Sequence, residues 1–327
     1  MRDFILTNVS HALYSQPWAI LPAKLEEIVV AFERRRSGVA ASEEDVKKAR
    51  DEGRRTVAAA MGGSVRSVAG MPVTMVGKTA ILPMHGSIVQ RPGVFTEFSG
   101  GTSAEQFASA HEQLAMDAGV NSVVWNIDSP GGSVCGLPEA FDRLMAVRGR
   151  KPTVAVSDTM MCSAAYYLGC AADEVVGTPS ALTGSIGTIM AHADYSKQNE
   201  QSGVKVTYIS AGKYKAEANP DEPLADEGRA ALQQMVDDYY GQFVRAVATA
   251  RNVSEKSVRS GYGEGRALSS GRALAAGLID KIESLGAVLQ RLGAYGPKSR
   301  ATSSAHSRLL VAEAELGLSR TTHQGAA

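Results

Sequence analysis

Two rhythms of apolar and polar residues divide this chain. Residues 18–60 carry the helical one. In WAILPAKLEEIVVAFERR the apolar positions Leu25, Ile28, Val29 and Phe32 share one helical face. ASEEDVKKARDEGRR follows, with Ser42 as its cap and polar residues almost all round, the pattern of a solvated helix. GGSVRSVAG, residues 62–70, is built of small residues and reads as a linker.

From Lys78 the texture changes. TAILPMHGSIV, VNSVVWNIDSPGG (from Val120), KPTVAVSD (from Lys151) and VKVTYISAG (from Val204) are short apolar runs that predict strands. Between them lie two helical patterns, SAEQFASAHEQLAMDAG, read as an exposed helix, and GLPEAFDRLMAVRG. A long helix is predicted from a cap at Asp226, with Leu232, Val236, Tyr239, Phe243 and Val247 on one face. SSGRALAAGLIDKIESLGAVLQRLG predicts helix, short extended turn, helix. Strands alternating with helices predict an α/β domain with a largely parallel sheet. The stretch after Pro297, rich in Ser, Thr, Ala and His, is expected to be mostly disordered. The expected organisation is a helical N-terminal region with linker at 1–77, a catalytic-type α/β domain at 78–290 and a flexible tail at 291–327.

Charge narrows the classes of partner. The 327 residues hold 34 basic and 34 acidic side chains, so nothing in the balance favours nucleic acid or an anionic membrane. No apolar run reaches the ~18 residues that would span a bilayer. The opening FIL is too short for a signal peptide and is soon interrupted by His11, Ser15 and Gln16. Three cysteines, Cys135, Cys162 and Cys170, have no framework spacing and suggest a reducing compartment. A cytoplasmic protein is expected, with no metal and no organic cofactor.

Two segments carry candidate chemistry. In NIDSPGGS, residues 126–133, a strand ends in a Gly-Gly turn whose backbone N–H groups can face a developing oxyanion, or simply connect strand to helix. In MMCSAAYYLG, residues 160–169, Ser163 stands between a strand and a helix, as a nucleophile or as an ordinary cap. A nucleophilic serine needs a base. His192 follows it, with Asp194 nearby; His85 and His111 precede it. The other route is a lysine, Lys213 or Lys215 in SAGKYKAEANP. A lysine works as a base at neutral pH only when burial lowers its pKa from near 10.4 to near 7, on the order of 4 kcal/mol.

An ordered set of motifs from about residue 78 to 290 resembles peptidase family S49, the signal-peptide peptidase A group. The set is IDSPGG (127–132), CSAAYYL (162–168), LTGSIG (182–187), SAGKYK (210–215) and GRALAAGLID (271–280). The resemblance implies a Clp-protease/crotonase-like α/β core of repeated ββα units. It implies Ser163 as nucleophile, Lys215 as general base (Lys213 on a variable position of the loop pattern), and backbone donors at Gly132 and Ala164. LTGSIG lies between the serine and lysine motifs, so the hydroxyl of Ser185 or Thr183 is expected to help hold the lysine, or the motif is a turn that packs the sheet edge. The chain departs from the family in reading C-S-A-A-Y where A-S-G-G-Y is commoner, which bears on substrate range. Cys162 is expected to be a packed neighbour of the serine. The absence of an anchor, together with TGSIG running into MAHADYS, GKYKAEANP and QPWAILPAKLEEI, resembles the head-maturation proteases of tailed phages and prophages. That branch implies scaffold, portal or head proteins as substrates, a homo-oligomeric ring, and the host cytoplasm or procapsid interior as the setting. The sequence leaves open whether the protein cuts itself; the stretch 62–70 and the region after Pro297 are where such cleavage would fall. The rivals are a general signal-peptide-peptidase-like protease, a Clp-type enzyme with His192 as base, a crotonase-like acyl-CoA enzyme, and a non-catalytic head protein.

Overall fold

The computed structural model describes residues 17–22, 52, 55–56, 58–93 and 101–295. In chain order the strands are β1 (Trp18–Ile20), β2 (Ser64–Val68), β3 (Met71–Val76), β4 (Thr79–His85), β5 (Ile88–Val89), β6 (Thr102–Ser103), β7 (Ser122–Ser129), β8 (Gly131–Ser133), β9 (Thr153–Cys162), β10 (Glu174–Gly177), β11 (Leu182–Gly184), β12 (Ala267–Ser269) and β13 (Lys281–Ile282). The helices are α1 (Ala104–Met116), α2 (Leu137–Ala146), α3 (Ala164–Gly169), α4 (Ser196–Gln201), α5 (Asp226–Arg251), α6 (Glu255–Gly261), α7 (Ser270–Ala276) and α8 (Leu285–Arg291).

The main sheet runs β12-β11-β9-β7-β4-β3-β2. Its centre is parallel, β4 beside β7 and β7 beside β9. β9 then divides. Val154–Ser157 pairs with β10, while Met160–Cys162 pairs with β11. Strands covered on both faces read as continuous apolar runs, which is why VNSVVWNI and TVAVS stood out. Alternate side chains of β7 serve opposite faces. Val123, Trp125 and Ile127 join Phe107 and Leu114 of α1 and Leu168 of α3. Val124 joins Val154 of β9 and Leu285, Val288 and Leu289 of α8 on the other face. The α/β class with a largely parallel sheet is therefore the one expected.

Several local expectations fail. Trp18–Ile20, expected as helix, is a strand, because its backbone finds a long-range partner in β8 that no local periodicity signals. Helix is described at 58–60, while Ser42 and most of the 18–60 stretch lie outside the described residues. The expected linker at 62–70 holds β2, paired antiparallel with β3, so the packed sheet begins before residue 78. VKVTYIS, expected as a strand, has no regular structure; Val204–Ser210 is exposed throughout. Asp226 is not the cap of α5. Ala225 takes that position, and Asp226 lies in the first turn, where its charge suits the helix dipole. His111 is buried, not exposed, because α1 lays it against Trp125, whose indole Nε1–H donates to its Nδ1 at 3.2 Å. The tail after Pro297 lies outside the described residues.

Candidate active site

The site grows from the carboxyl ends of two neighbouring parallel strands. β7 ends at Ser129, which is paired with Met161 near the end of β9. The chain leaving β7 turns through Pro130 into Gly131 and Gly132; the chain leaving β9 turns through Ser163 into α3. The Gly-Gly turn and the serine are thereby brought side by side, in the crevice where open α/β sheets place their ligands.

Ser163 adopts φ 56°, ψ −119°, a conformation that favours glycine, and its side chain caps nothing. Its backbone N–H donates to Gly184 O (2.7 Å) and its carbonyl accepts from Tyr167 N–H (2.9 Å), which fixes the turn from both sides. The hydroxyl makes one long bond, to Gly187 O at 3.4 Å. α3 behind it is wholly buried. Tyr166 donates its hydroxyl to Leu278 O (2.8 Å), and Tyr167 packs against Phe141 and Phe243. A serine held in a strained strand-to-helix turn, its hydroxyl capping nothing and only weakly engaged, has the arrangement of a nucleophile elbow.

Gly131 has φ +109° and abuts the serine: a Cβ there would lie 2.9 Å from Ser163 Cβ. Its N–H donates to Ser129 Oγ (3.2 Å), which in turn donates to Gly86 O (2.6 Å). Gly132 sits between β1 and β5, so close to Ile88 that a Cβ would lie 1.9 Å from its carbonyl oxygen. Ala164 begins α3, where a backbone N–H has no partner within the helix. LTGSIG contributes β11, whose Thr183 and Gly184 pair with Met161 and Cys162. Ser185 follows with φ 54°, its N–H donating to Arg266 O (2.9 Å). Thr183 Oγ1 is buried and has no hydrogen-bond partner among the described residues. Cys162 is buried, and desolvation pushes its thiol up to about 12, which fits a packed neighbour of the serine.

The lysines stand apart from this cluster. Lys215 is exposed, its N–H closing a turn onto Gly212 O (3.1 Å). Lys213 lies on Tyr214 and Glu227, and hydrogen bonds to those two groups hold its ammonium above the ordinary lysine value. His192 directs Nε2 at Ala218 O (3.2 Å), and Asp194 accepts from Ser196 N–H (2.9 Å). Two neighbours of Ser163 were not singled out from sequence. Gly187 stands within LTGSIG with no role of its own assigned, and Trp18–Ile20 falls in the stretch expected as helix. A glycine closing a small-residue motif was the one signal available for the first.

Residues 146–295 match peptidase family S49. That matched stretch is a peptidase S49 domain and spans a little under half of the chain. The chain is 34% identical over 203 residues to capsid assembly protease C of Escherichia phage lambda, covering 62% of this chain and 46% of that protein. It is 33% identical over 209 residues to head-tail preconnector protein GP5 of Enterobacteria phage P21, covering 64% and 41% respectively. It is 27% identical over 207 residues to the chloroplastic serine protease SPPA of Arabidopsis thaliana, covering 63% and 30%. The chain thus spans less than half the length of each phage relative. The S49 domain has the mixed α/β architecture of a Clp-protease-like S49 fold, with Ser163 and β11 inside the matched region and the Gly-Gly turn just ahead of it. Among the described residues no helix is long and apolar enough to cross a membrane, and no group of three or more His, Cys, Asp or Glu could hold a metal ion.

Proposed function

We propose that this chain is a serine endopeptidase in which Ser163 is the nucleophile and Lys215 the general base. The observation that carries the reading is the strained Ser163 turn, held against the Gly-Gly turn with its hydroxyl engaged only in one long bond to Gly187 O. Lys215, as the neutral amine, takes the Ser163 proton as Oγ attacks the scissile carbonyl. The N–H groups of Gly132 and Ala164 receive the oxyanion. Protonated Lys215 then gives its proton to the leaving amine, and water activated the same way releases the acyl group. The buried Thr183 hydroxyl, which has no partner among the described residues, or that of Ser185, is suited to orient the arriving amine.

Lys215 reaches that role only when its loop is covered, because a lysine acts as a base only when desolvated. The same stretch carries Val204, Val206, Tyr208, Ile209 and Tyr214 exposed, Ile209 at 98%. A row of large apolar side chains in water marks an interaction surface. We assign it to a homo-oligomeric ring in which a neighbouring copy covers the loop and completes the site. The names of the two phage relatives, a capsid assembly protease and a head-tail preconnector protein, favour phage head proteins as substrates, and we place the cleavage in the host cytoplasm or inside a procapsid.

The test is to co-express the protein with candidate head proteins, or to supply casein, and compare wild type with Ser163→Ala and Lys215→Ala. The reading expects both variants to fold, to assemble and to cut nothing. Cleavage by Lys215→Ala near the wild-type rate rejects Lys215 and turns attention to Lys213 and His192. Wild type that cuts nothing favours a structural head protein.

A further inference from the structure

The crevice beside Ser163 already contains a peptide, and it belongs to this chain. β1 runs antiparallel to β8, with Trp18, Ala19 and Ile20 opposite Ser133, Gly132 and Gly131. On its other edge Trp18 exchanges both backbone bonds with Ile189: Trp18 N–H donates to Ile189 O (2.8 Å) and Ile189 N–H to Trp18 O (2.9 Å). The segment is therefore clamped between two edges that flank the nucleophile, since Gly187, two residues before Ile189, accepts the Ser163 hydroxyl.

The ladder phase identifies what faces the candidate oxyanion donor. Successive residues of a strand point their backbone groups to opposite sides. Trp18 points both of its groups at Ile189, so Ala19 points its groups at Gly132. Leu21 N–H continues the same phase by donating to Pro130 O (3.0 Å). The Ala19 carbonyl thus faces the Gly132 N–H. The Ala19–Ile20 peptide also stands at the nucleophile. A Cβ on Gly131 would lie 2.2 Å from Ala19 O, 3.0 Å from Ile20 Cα and 2.9 Å from Ser163 Cβ. Ala19 further borders a pocket walled by Val134, Leu137, Tyr167, Tyr239 and Phe243, placed as a side-chain pocket for an extended peptide would be. Under this segment Ser163 is only 1% exposed.

We propose that residues 17–21 occupy the peptide-binding cleft as an internal substrate-like strand, and that they must leave before another peptide can reach Ser163. The proposal rests on the reading of Ser163 as nucleophile. It also defines the ligand class: an extended peptide, antiparallel to Gly131–Ser133, with a small apolar residue where Ala19 now sits.

The experiment uses the full chain with a site-specific protease sequence inserted after Gly38, so that the protein folds before the segment is severed. Intact and nicked forms are compared for labelling of Ser163 by a fluorophosphonate and for binding of a fluorescent QPWAILP peptide. A second full-chain variant, Ala19→Pro, removes the Ala19 N–H from the ladder without any nicking. The proposal expects at least tenfold faster labelling of the nicked form or of Ala19→Pro, slowed again by free QPWAILP, with the peptide binding only the opened forms. Equal labelling of the intact, nicked and Ala19→Pro proteins, with no peptide binding, overturns it. If no form is labelled but the peptide binds only the opened forms, the occupancy stands and the nucleophile reading falls.

Discussion

Gly131 and Ser163 are in direct contact across the crevice: a Cβ built on the glycine would come within 2.9 Å of the serine Cβ and 2.2 Å of the Ala19 carbonyl oxygen. Gly131 also has φ +109°, which an L side chain rarely adopts. Gly131→Ala is therefore expected to destabilise the fold by about 2 kcal/mol or more and to remove activity. Thermal unfolding and peptidase assays on the purified variant check both. A folded, active Gly131→Ala would mean that the glycine turn can retreat from the serine.

Ser163 itself holds a conformation that suits glycine better than serine. Ser163→Gly should relieve that strain and raise stability by about 1 kcal/mol while abolishing catalysis. Ser163→Ala should abolish catalysis without the gain. Urea unfolding of the three proteins separates these outcomes. A residue kept strained for its chemistry gives this pattern, whereas a plain structural cap loses stability in both variants.

His111 supplies a pH signature. Burial lowers its pKa from 6.5 to about 4, and its Nδ1 accepts the Trp125 indole N–H, so the folded state holds it neutral. The unfolded chain binds its proton near pH 6.5, the folded chain only near pH 4. Stability from this residue is complete above pH 6.5 and is lost as the pH falls toward 4. Between pH 7 and pH 5 the loss is about 2 kcal/mol. His111→Gln, which keeps an acceptor for Trp125, should flatten that part of the profile in urea titrations at the two pH values.

The closing motif GRALAAGLID has a mechanical role at Asp280. Arg251, whose side chain is only 9% exposed, donates to both Asp280 oxygens (2.6 and 3.0 Å) and to Gly277 O (3.1 Å). Asp280 Oδ2 also accepts Val175 N–H at 2.8 Å, tying α5 to the end of the sheet. Asp280→Ala leaves that guanidinium without its carboxylate and is expected to destabilise the protein by about 3 kcal/mol. Replacing both partners, Arg251→Met with Asp280→Ala, should cost less than Asp280→Ala alone. A double-mutant cycle by thermal unfolding measures the difference.

Much of the core was legible because β7 and β9 are unbroken apolar runs and α1, α2 and α5 keep helical period. Ser163 and the Gly-Gly turn were legible because each follows such a run. His111 could have been read as buried, since it falls on the face of Phe107, Ala108, Leu114 and Ala115. β2 was missed because SVRSV is a mostly exposed edge strand of small and charged residues. β1 was missed because three residues carry no periodicity, and their strand exists only through pairing with residues more than a hundred positions away. VKVTYI shows the opposite failure. Its β-branched pattern fits a strand, yet Val204–Ser210 pairs with no strand among the described residues.

The most direct measurement maps the fluorophosphonate adduct by peptide mass spectrometry in wild type, Ser163→Ala and Lys215→Ala. The account predicts an adduct on the peptide containing Ser163, none in Ser163→Ala, and labelling at least a hundredfold slower in Lys215→Ala. An adduct on another residue, or labelling of Lys215→Ala at the wild-type rate, would contradict it.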